Sequence, residues 1–261
     1  MKRVIYQVDA FTQEVFKGNP AAVCILDQWP EEARMQRIAN ENNLSETAFA
    51  VPVGECYEIR WFTPEMEVEL CGHATLATAH VLFKHMKYPG DWICFESVHS
   101  GRLTVKRKGD LLTLDFPKDK LEEMVVPAFI VTALQTPPLK AFRGKTDFMF
   151  VFASAAEIEN MEPDFGLLAQ AGGRGIIVTA PGDDVDFVSR FFAPQTGIDE
   201  DPVTGSSHTS LTPYWSKVLG KTRLTARQLS SRGGELICEE KGDRVEISGH
   251  AVTYMKGKIR I

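Results

Sequence analysis

The sequence predicts an α+β fold made of two similar halves, because short patterns of its first half return in its second half in the same order. Arg60-Trp-Phe-Thr-Pro64 returns as Arg190-Phe-Phe-Ala-Pro194, and 190 − 60 gives an offset of 130 residues. An acidic stretch and then a glycine follow each copy, at Gly72 and at Gly205. Because 205 − 72 gives 133, the second copy holds three extra residues.

The third recurrence is a turn pattern. Residues 100–110 align with residues 233–243 at the same offset of 133, and both stretches end in Lys-Gly-Asp. Such a triplet between two strand-like runs predicts a β-hairpin. Three matches at a nearly constant offset indicate an internal duplication, with about 133 residues in each copy.

The elements of the first half have separate signals. Alternating β-branched and aromatic residues predict strands, and an apolar face that follows Pro30 predicts the first helix. A run rich in Ala, Leu and Val predicts the second helix. The predicted strands are Val4–Phe11, Ala21–Leu26, Ala48–Val53 and Cys56–Phe62, and the predicted helices are Glu31–Asn42 and Ala74–Met86.

The second half offers a comparable series. Its predicted strands are Phe148–Ala153, Gly175–Ala180 and Val185–Phe192, and its predicted helix is Met161–Ala171. The Asp115-Phe-Pro-Lys-Asp119 stretch is the predicted linker, since proline and charged residues interrupt the strand pattern there. We therefore expect an N-terminal lobe of residues 1–115 and a C-terminal lobe of residues 116–251.

Composition excludes several partners. Twenty-nine Lys and Arg against 35 Asp and Glu give a net charge of -6 without a dense basic run, so no nucleic-acid surface is expected. Apolar runs such as Ala21–Leu26 are far shorter than the ~18 residues that a membrane span needs. Asp9, Glu14 and Lys17 interrupt the N-terminal stretch where a signal peptide would be apolar. A cytoplasmic location is predicted.

The cysteines support the same location. There are five, an odd number, and no two form a C-x-x-C pair. This pattern predicts reduced thiols rather than a disulfide framework.

The two recurring glycines predict anion sites. Gly72 and Gly205 each lie where a strand ends and a helix begins. Backbone N–H groups at a helix start bind anions, and glycine lets a ligand approach them closely. Two such starts facing each other across a cleft would suit a small carboxylate. The alternative is that both glycines only make tight turns.

Groups that can move protons lie near these glycines. They are Glu46, which immediately precedes an apolar strand, His73, Asp201 and Ser206. Partial desolvation of the Glu46 carboxyl would raise its pKa toward the range useful for general acid–base catalysis. The alternative places Glu46 in an exposed turn and makes Asp201 a helix cap.

Other catalytic motifs are absent from the sequence. Gly144-Lys-Thr146 and Gly220-Lys-Thr222 lack the upstream glycine of a P-loop. His73, His80 and His85 do not have zinc-ligand spacing, so no metal is expected. Neither a G-x-S-x-G nor a G-x-G-x-x-G motif occurs.

Taken together, these segments resemble the phenazine biosynthesis PhzF-like family, within the diaminopimelate epimerase-like fold. The resemblance spans the chain and rests on six segments: Gly18–Val23, Ser45–Thr47, Cys71–Thr75, Arg190–Pro194, Glu200–Ser206 and Gly249–Ile261. It implies two pseudo-symmetric lobes, each a curled mixed sheet around a central helix, with the active site between them. It also implies that residues 252–261 return to the first lobe.

By the same resemblance, Glu46 is the acid–base residue of a cofactor-independent isomerase. It would remove and redeliver a proton on a carbon skeleton. His73, Asp201 and Ser206 would orient the substrate and assist the proton transfer, while Gly72 and Gly205 would bind its carboxylate. The family also implies a homodimer.

Two residues depart from related patterns. The epimerases resemble this chain but place a cysteine before each glycine, whereas here Cys71 is paired with Thr204. A racemase that uses two thiols is therefore not expected, and Cys71 is interpreted as a small buried residue rather than a nucleophile. Thr204 and His208 join the predicted substrate contacts, although His208 could instead point into the packed side of its helix. His208 is not expected in the phenazine-pathway enzyme itself, so the substrate need not be a phenazine precursor.

The sequence thus predicts an isomerase of a small carboxylate, with Glu46 as the proton carrier. Two alternatives remain. One is an amino-acid racemase or epimerase. The other is a protein that binds a small anion without catalysis, for which the residues around Gly72 and Gly205 would matter and Glu46 would not.

Overall fold

A computed structural model describes residues 2–260, which form two compact units. The first unit contains the chain up to Asp115 together with the chain from Ser248 onward, and the second contains Phe116–Ile247. Each unit has a mixed β-sheet and few helices, so the structure belongs to the α+β class.

The first unit begins and ends with neighbouring strands. Its strands are β1 (Lys2–Ala10), β2 (Asn19–Ile25), β3 (Glu46–Val53), β4 (Cys56–Phe62), β5 (Glu67–Val68), β6 (Trp92–Ser97), β7 (Gly101–Lys108), β8 (Leu111–Pro117) and β18 (Ala251–Arg260). Its helices are α1 (Glu32–Asn42) and α2 (Gly72–His80), the latter continued by a π-helical turn, Val81–His85. β1 pairs antiparallel with both β2 and β18, so the last strand lies in the first unit.

The second unit holds the remaining elements. Its strands are β9 (Glu122–Met124), β10 (Lys140–Arg143), β11 (Asp147–Val151), β12 (Gly175–Pro181), β13 (Phe187–Ala193), β14 (Ile198–Glu200), β15 (Arg223–Gln228), β16 (Gly234–Lys241) and β17 (Arg244–Gly249). Its helices are α3 (Ala128–Leu134), α4 (Ala155–Glu159), α5 (Phe165–Leu168) and α6 (His208–Leu219), with a 3₁₀ turn at Pro194–Thr196.

The order of strand pairing is the same in both units. In the first, β2 and β3 are parallel, β4 is antiparallel to β3 and parallel to β6, and β7 is antiparallel to β6. In the second, the same relations connect β11, β12, β13, β15 and β16. The recurring sequence patterns therefore lie on strands with equivalent neighbours.

The recurring arginines make equivalent contacts. On β4, Arg60 donates from Nε to Glu67 at 2.7 Å, and its guanidinium carbon lies 5.2 Å from the ring centre of Phe62. On β13, Arg190 donates from Nε to Glu200 at 2.8 Å and lies 4.9 Å from the ring centre of Phe192. In each unit this arginine ties a sheet strand to the acidic segment that leads toward the glycine. The pattern thus has a structural role of its own.

The helix after each glycine packs on its sheet. Every residue of α2 from His73 to His80 is buried, and the helix lies against β1, β2, β3 and β18. Its Ala, Thr and Leu side chains are small or apolar on all sides, as a fully enclosed helix requires. In the second unit, α6 buries one face, with Leu211 and Trp215, against β15 and β16.

Two predicted helices differ from the structure. The prediction of a helix at Met161–Ala171 is largely wrong, since only Phe165–Leu168 is helical. Pro163 interrupts the pattern, and the side chain of Asp164 then caps the short helix by accepting from Leu167 N–H. The preceding α4, which begins at a Ser154–Glu157 capping box, is absent from the prediction. The helix predicted at Ala74–Met86 begins at Gly72 and changes to a π-helical turn after His80.

The linker prediction is also wrong as a description of local structure. Asp115, Phe116 and Pro117 belong to β8, and the Phe116 ring is buried. A single proline at the end of a strand does not break it, because its missing N–H falls where pairing stops. The boundary between the two units nevertheless falls between Asp115 and Phe116.

The cysteine prediction needs a correction. Cys56 and Cys94 form a disulfide with a Cα–Cα distance of 4.7 Å, while Cys24, Cys71 and Cys238 are not disulfide-bonded. The cause is the register of β4 and β6, in which Tyr57 pairs with Phe95, so that the preceding cysteines are also neighbours. Sequence spacing does not show this pairing, because the two cysteines are 38 residues apart.

None of the helices within residues 2–260 has the length and apolar character of a membrane-spanning helix.

Candidate active site

Glu46 is the first residue of β3 and lies beside Ala21 of the parallel strand β2. The chain reaches this position through Asn43, which ends α1 in the left-handed conformation that asparagine tolerates. The Glu46 side chain is only 16% exposed. The predicted partly desolvated carboxyl therefore exists, and the alternative of an exposed turn does not fit this burial.

His73 approaches Glu46 from the start of α2. Its Nε2 lies 3.2 Å from Oε2 of Glu46. This contact has the distance of an ion pair but not the alignment of a hydrogen bond, and among residues 2–260 Nε2 of His73 has no hydrogen-bond partner. Burial lowers the pKa of His73 to about 3, so the imidazole is neutral near pH 7. A neutral ring carries one proton and one lone pair, which suits it to exchange a proton with a neighbour.

Cys71 contacts the other side of the same ring. Its Sγ lies 3.4 Å from Nδ1 of His73, within hydrogen-bond distance for sulfur. Cys71 is buried, as predicted, and it is the N-cap residue of α2. The imidazole of His73 therefore lies between a thiol and a carboxyl group.

Gly72 is the first residue of α2, so its backbone is helical and does not require glycine. The tight-turn alternative therefore fails for this position. The first backbone hydrogen bond of the helix runs from Thr75 N–H to Cys71 C=O at 3.1 Å, and the earlier N–H groups have no acceptor within the helix. Without a side chain at Gly72, an anion has close access to these N–H groups.

In the second unit, Asp201 and Thr204 share a polar network with Gln228. The Thr204 hydroxyl donates to Oδ2 of Asp201 at 2.5 Å, and Thr204 N–H donates to Oε1 of Gln228 at 2.8 Å. Gln228 also donates from Nε2 to the Asp201 carbonyl at 2.8 Å. Thr204 thus orients Asp201, and the helix-cap alternative for Asp201 does not fit, since α6 is preceded by Ser207.

Gln228 is a functional candidate that sequence reasoning missed. It is fully buried at the end of β15 and connects Asp201 to Thr204. It lies 24 residues beyond Thr204 in the chain, and no motif surrounds it. Only the parallel pairing of β13 with β15 brings it to this position.

Arg174 is a second missed candidate, next to Ser206. It donates from a terminal nitrogen to Oγ of Ser206 at 2.9 Å. Nε and the second terminal nitrogen donate to the two oxygens of Asp147, a carboxylate that is itself buried. Ser206 is therefore held by a cation. The Gly172–Gly175 stretch turns the chain into β12, as its glycines indicate, and Arg174 is the part of it with a further role.

Gly205 and His208 are placed differently from Gly72 and His73. Residues 205–207 form a turn with hydrogen bonds between residues three apart, and α6 begins only at His208. The prediction of a helix start at Gly205 is therefore displaced by one turn. His208 is fully buried, with Nδ1 2.9 Å from the Thr204 carbonyl and its ring 5.9 Å from that of Phe187. This is the packed orientation that the sequence left open, and burial lowers the pKa of His208 to about 4.

Two groups of described residues have donor atoms close enough for a metal ion. Glu46, Cys71 and His73 form one group, with all ligand atoms within 4.8 Å of one another. The second contains the disulfide-bonded Cys56 and Cys94, whose sulfurs are not thiolates. His80 and His85 both contact the Thr253 hydroxyl rather than His73. The expectation that no metal takes part stays a prediction.

Comparisons with known proteins agree with these features. The family model for phenazine biosynthesis-like proteins matches residues 8–257. An uncharacterized isomerase of Pseudomonas aeruginosa is 52% identical, with 100% of both chains covered. The crystal structure of a PhzF-family phenazine biosynthesis protein from Enterococcus faecalis is 49% identical, with a TM-score of 0.98 and 100% of both chains covered. A hydroxyproline epimerase of Agrobacterium vitis shares the fold alone, at 9% identity and a TM-score of 0.65, with 99% of this chain and 92% of that chain covered. The predicted fold class and the family resemblance are confirmed.

Proposed function

This chain belongs to the phenazine biosynthesis-like family and is an isomerase, and we propose that it moves a proton within a small carboxylate, with Glu46 as the proton carrier. The observation that carries the proposal is the contact between Glu46 and a neutral His73 at the N-terminus of α2. It joins a group that can accept a proton and a group that can donate one, at a helix start whose N–H groups can bind an anion.

The anion site would hold the substrate. A carboxylate bound by the N–H groups at the start of α2 would place its neighbouring carbon near Glu46. Glu46 in its ionised form would remove a proton from that carbon, and the electron pair would move into the carboxylate or a conjugated double bond. The electron-rich intermediate would be stabilised by the positive end of the helix dipole.

The same proton would then return at another carbon. Glu46, now protonated, would deliver it, and the double bond would shift without a net gain or loss of atoms or electrons. His73 can stabilise the developing negative charge with a hydrogen bond from Nε2–H, since its neutral ring carries one N–H donor. No redox cofactor is needed for such a shift.

The second glycine segment has an ordered polar set of its own, in which Thr204 orients Asp201 and Arg174 holds Ser206. The role of Asp201 and Ser206 toward the substrate stays a prediction. Gly205 would offer its backbone N–H, as the sequence pattern suggests. His208 would shape the site from within the packed side of α6 rather than by direct contact.

A racemase that uses two thiols is the alternative enzyme class. It needs an ionisable group at both glycine segments, on opposite faces of one carbon. Cys71 is present in the first segment, but the second has Thr204, whose hydroxyl donates to Asp201 and does not ionise near neutral pH. This network favours the isomerase over the two-thiol mechanism.

To test the proposal, small unsaturated and hydroxylated carboxylates are screened as substrates. Turnover is measured as isomerisation or as uptake of deuterium from the solvent. Glu46→Gln should lower turnover by about 10²- to 10⁴-fold, since it removes the acid–base group while keeping the side-chain volume. Glu41→Gln is the matched control, because Glu41 is exposed on α1 and makes the same change in charge. Turnover that survives Glu46→Gln would refute the mechanism, and binding of carboxylates without turnover would favour the anion-binding alternative.

A further inference from the structure

The imidazole of His73 is contacted on both of its nitrogens, and one contact is a residue that the proposed reaction does not use. Nδ1 lies 3.4 Å from Sγ of Cys71, and Nε2 lies 3.2 Å from Oε2 of Glu46. All three side chains are largely withdrawn from solvent. Cys71 and Glu46 therefore contact opposite nitrogens of the same imidazole.

The neutral ring has two possible tautomers, and each places its proton on one of these contacts. With the proton on Nδ1, the ring N–H would donate to a sulfur atom, which is a weak acceptor. Its Nε2 lone pair would then lie 3.2 Å from Oε2 of Glu46, and when Glu46 is ionised these two acceptors repel each other. With the proton on Nε2, an ionised Glu46 lies 3.2 Å from a protonated nitrogen, which is attractive even without hydrogen-bond alignment, and the thiol S–H meets the Nδ1 lone pair.

We propose that Cys71 is a positioning residue that holds His73 in the tautomer with its proton on Nε2, directed toward Glu46 and the substrate. The thiol does so by donating its S–H to Nδ1. This inference rests on the proposed function for its catalytic consequence, but the tautomer itself is a property of the free protein. It assigns Cys71 a role other than the nucleophile of a racemase or an inert core residue.

The backbone fixes the geometry that this role needs. Cys71 is the N-cap residue of α2, and its carbonyl accepts both the N–H and the hydroxyl of Thr75, at 3.1 Å and 2.6 Å. These two bonds anchor Cys71 at the helix end. His73 follows two residues later in the first turn, so its ring lies within reach of the thiol. Cys24, a buried free thiol of the same unit, has no comparable histidine contact among the described residues.

Nitrogen-15 NMR of protein labelled at histidine tests the tautomer, with the His73 signals assigned by their loss in His73→Gln. We expect wild-type His73 to show a protonated Nε2 and an unprotonated Nδ1 near pH 7.5. Cys71→Ser retains a donor and should keep this pattern. Cys71→Ala removes the donor and should increase the fraction of His73 protonated on Nδ1, whereas Cys24→Ala should leave the His73 signals unchanged.

Turnover gives the second measurement. Cys71→Ala should lower kcat by about tenfold with little change in KM, and Cys71→Ser should restore most of that loss. A purely structural role for Cys71 would lower stability without moving the tautomer and would not separate serine from alanine in this way.

The outcomes separate the inference from the proposed function. A wild-type ring protonated on Nδ1, a doubly protonated ring, or an unchanged tautomer in Cys71→Ala would overturn the positioning role, even if Glu46→Gln abolishes turnover. If the tautomer follows Cys71 as expected while Glu46→Gln leaves turnover intact, the positioning role stands and the proposed function fails.

Discussion

The residues of the candidate site differ in how well the sequence around each of them predicts its place in the site. Glu46 and His73 come from short motifs next to a strand start and a helix start, and the structure places their side chains in contact. Gln228 and Arg174 have no such motif, because each is brought to its partner by the pairing of distant strands. The candidate catalytic residues can thus be predicted from local patterns, whereas the residues that contact Asp201, Thr204 and Ser206 require the tertiary structure.

Gln228→Ala should lower both stability and activity. It removes the partners of Thr204 N–H and the Asp201 carbonyl inside a buried network, and each unsatisfied buried group costs about 1–3 kcal/mol. The free energy of unfolding in urea measures the first effect, and kcat measures the second. Gln170→Ala, an exposed glutamine of the same unit, is the control. Unchanged stability in Gln228→Ala would show that the network contributes nothing to the fold.

Among the elements, strands are predicted better than helices. The strand at Cys56–Phe62 is predicted with its observed bounds, because alternation and burial agree there. The prediction of a helix at Met161–Ala171 is wrong because apolar spacing alone does not reveal that Pro163 and Asp164 divide the segment. The Cys56–Cys94 disulfide is not predicted for a related reason, because it depends on the register of two parallel strands.

The arginine contacts of β4 and β13 yield a prediction at this scale. Arg60 contacts two carboxylates, Glu67 and Glu32, whereas Arg190 contacts the carboxylate of Glu200 and two backbone carbonyls. Glu200→Gln should therefore be more destabilising than Glu67→Gln, because Arg190 then keeps no carboxylate in a mostly buried position. We expect a loss of about 1–3 kcal/mol for Glu200→Gln.

Urea unfolding of both variants provides the comparison. Equal losses of unfolding free energy in Glu67→Gln and Glu200→Gln would contradict this expectation. They would mean that Glu32 does not replace Glu67 as the carboxylate partner of Arg60. Glu65→Gln, an exposed residue of the same acidic segment, should be close to neutral.

At the scale of the whole molecule, two similar halves could be predicted because sequence patterns recur in order. The strands that carry these patterns have equivalent pairing in the two units. The two units differ in the segment that follows each recurring glycine. Cys71, Gly72 and His73 open a helix directly, whereas the second glycine is followed by a further turn before α6. No pattern within the sequence reveals that displacement, because it depends on how residues 205–207 hydrogen-bond to the helix that follows.

The buried histidines of both units predict how stability depends on pH. Burial lowers the pKa of His73 to about 3 and of His80 and His208 to about 4, against about 6.5 in an unfolded chain. Below pH 6.5 the unfolded chain binds protons that these folded residues do not. The free energy of unfolding should therefore be largest above pH 6.5 and should fall as the pH is lowered toward 4.

Each such histidine should contribute a slope of about 1.4 kcal/mol per pH unit within that window, and urea unfolding at several pH values measures the total. His208→Gln should reduce the slope by one histidine's share even if the variant is less stable throughout. His99→Gln should leave the slope unchanged, because His99 is exposed. A flat profile between pH 6.5 and 4.5 would mean that these imidazoles accept protons in the folded state. The neutral His73 on which the proposed proton transfer depends would then be lost at mildly acidic pH.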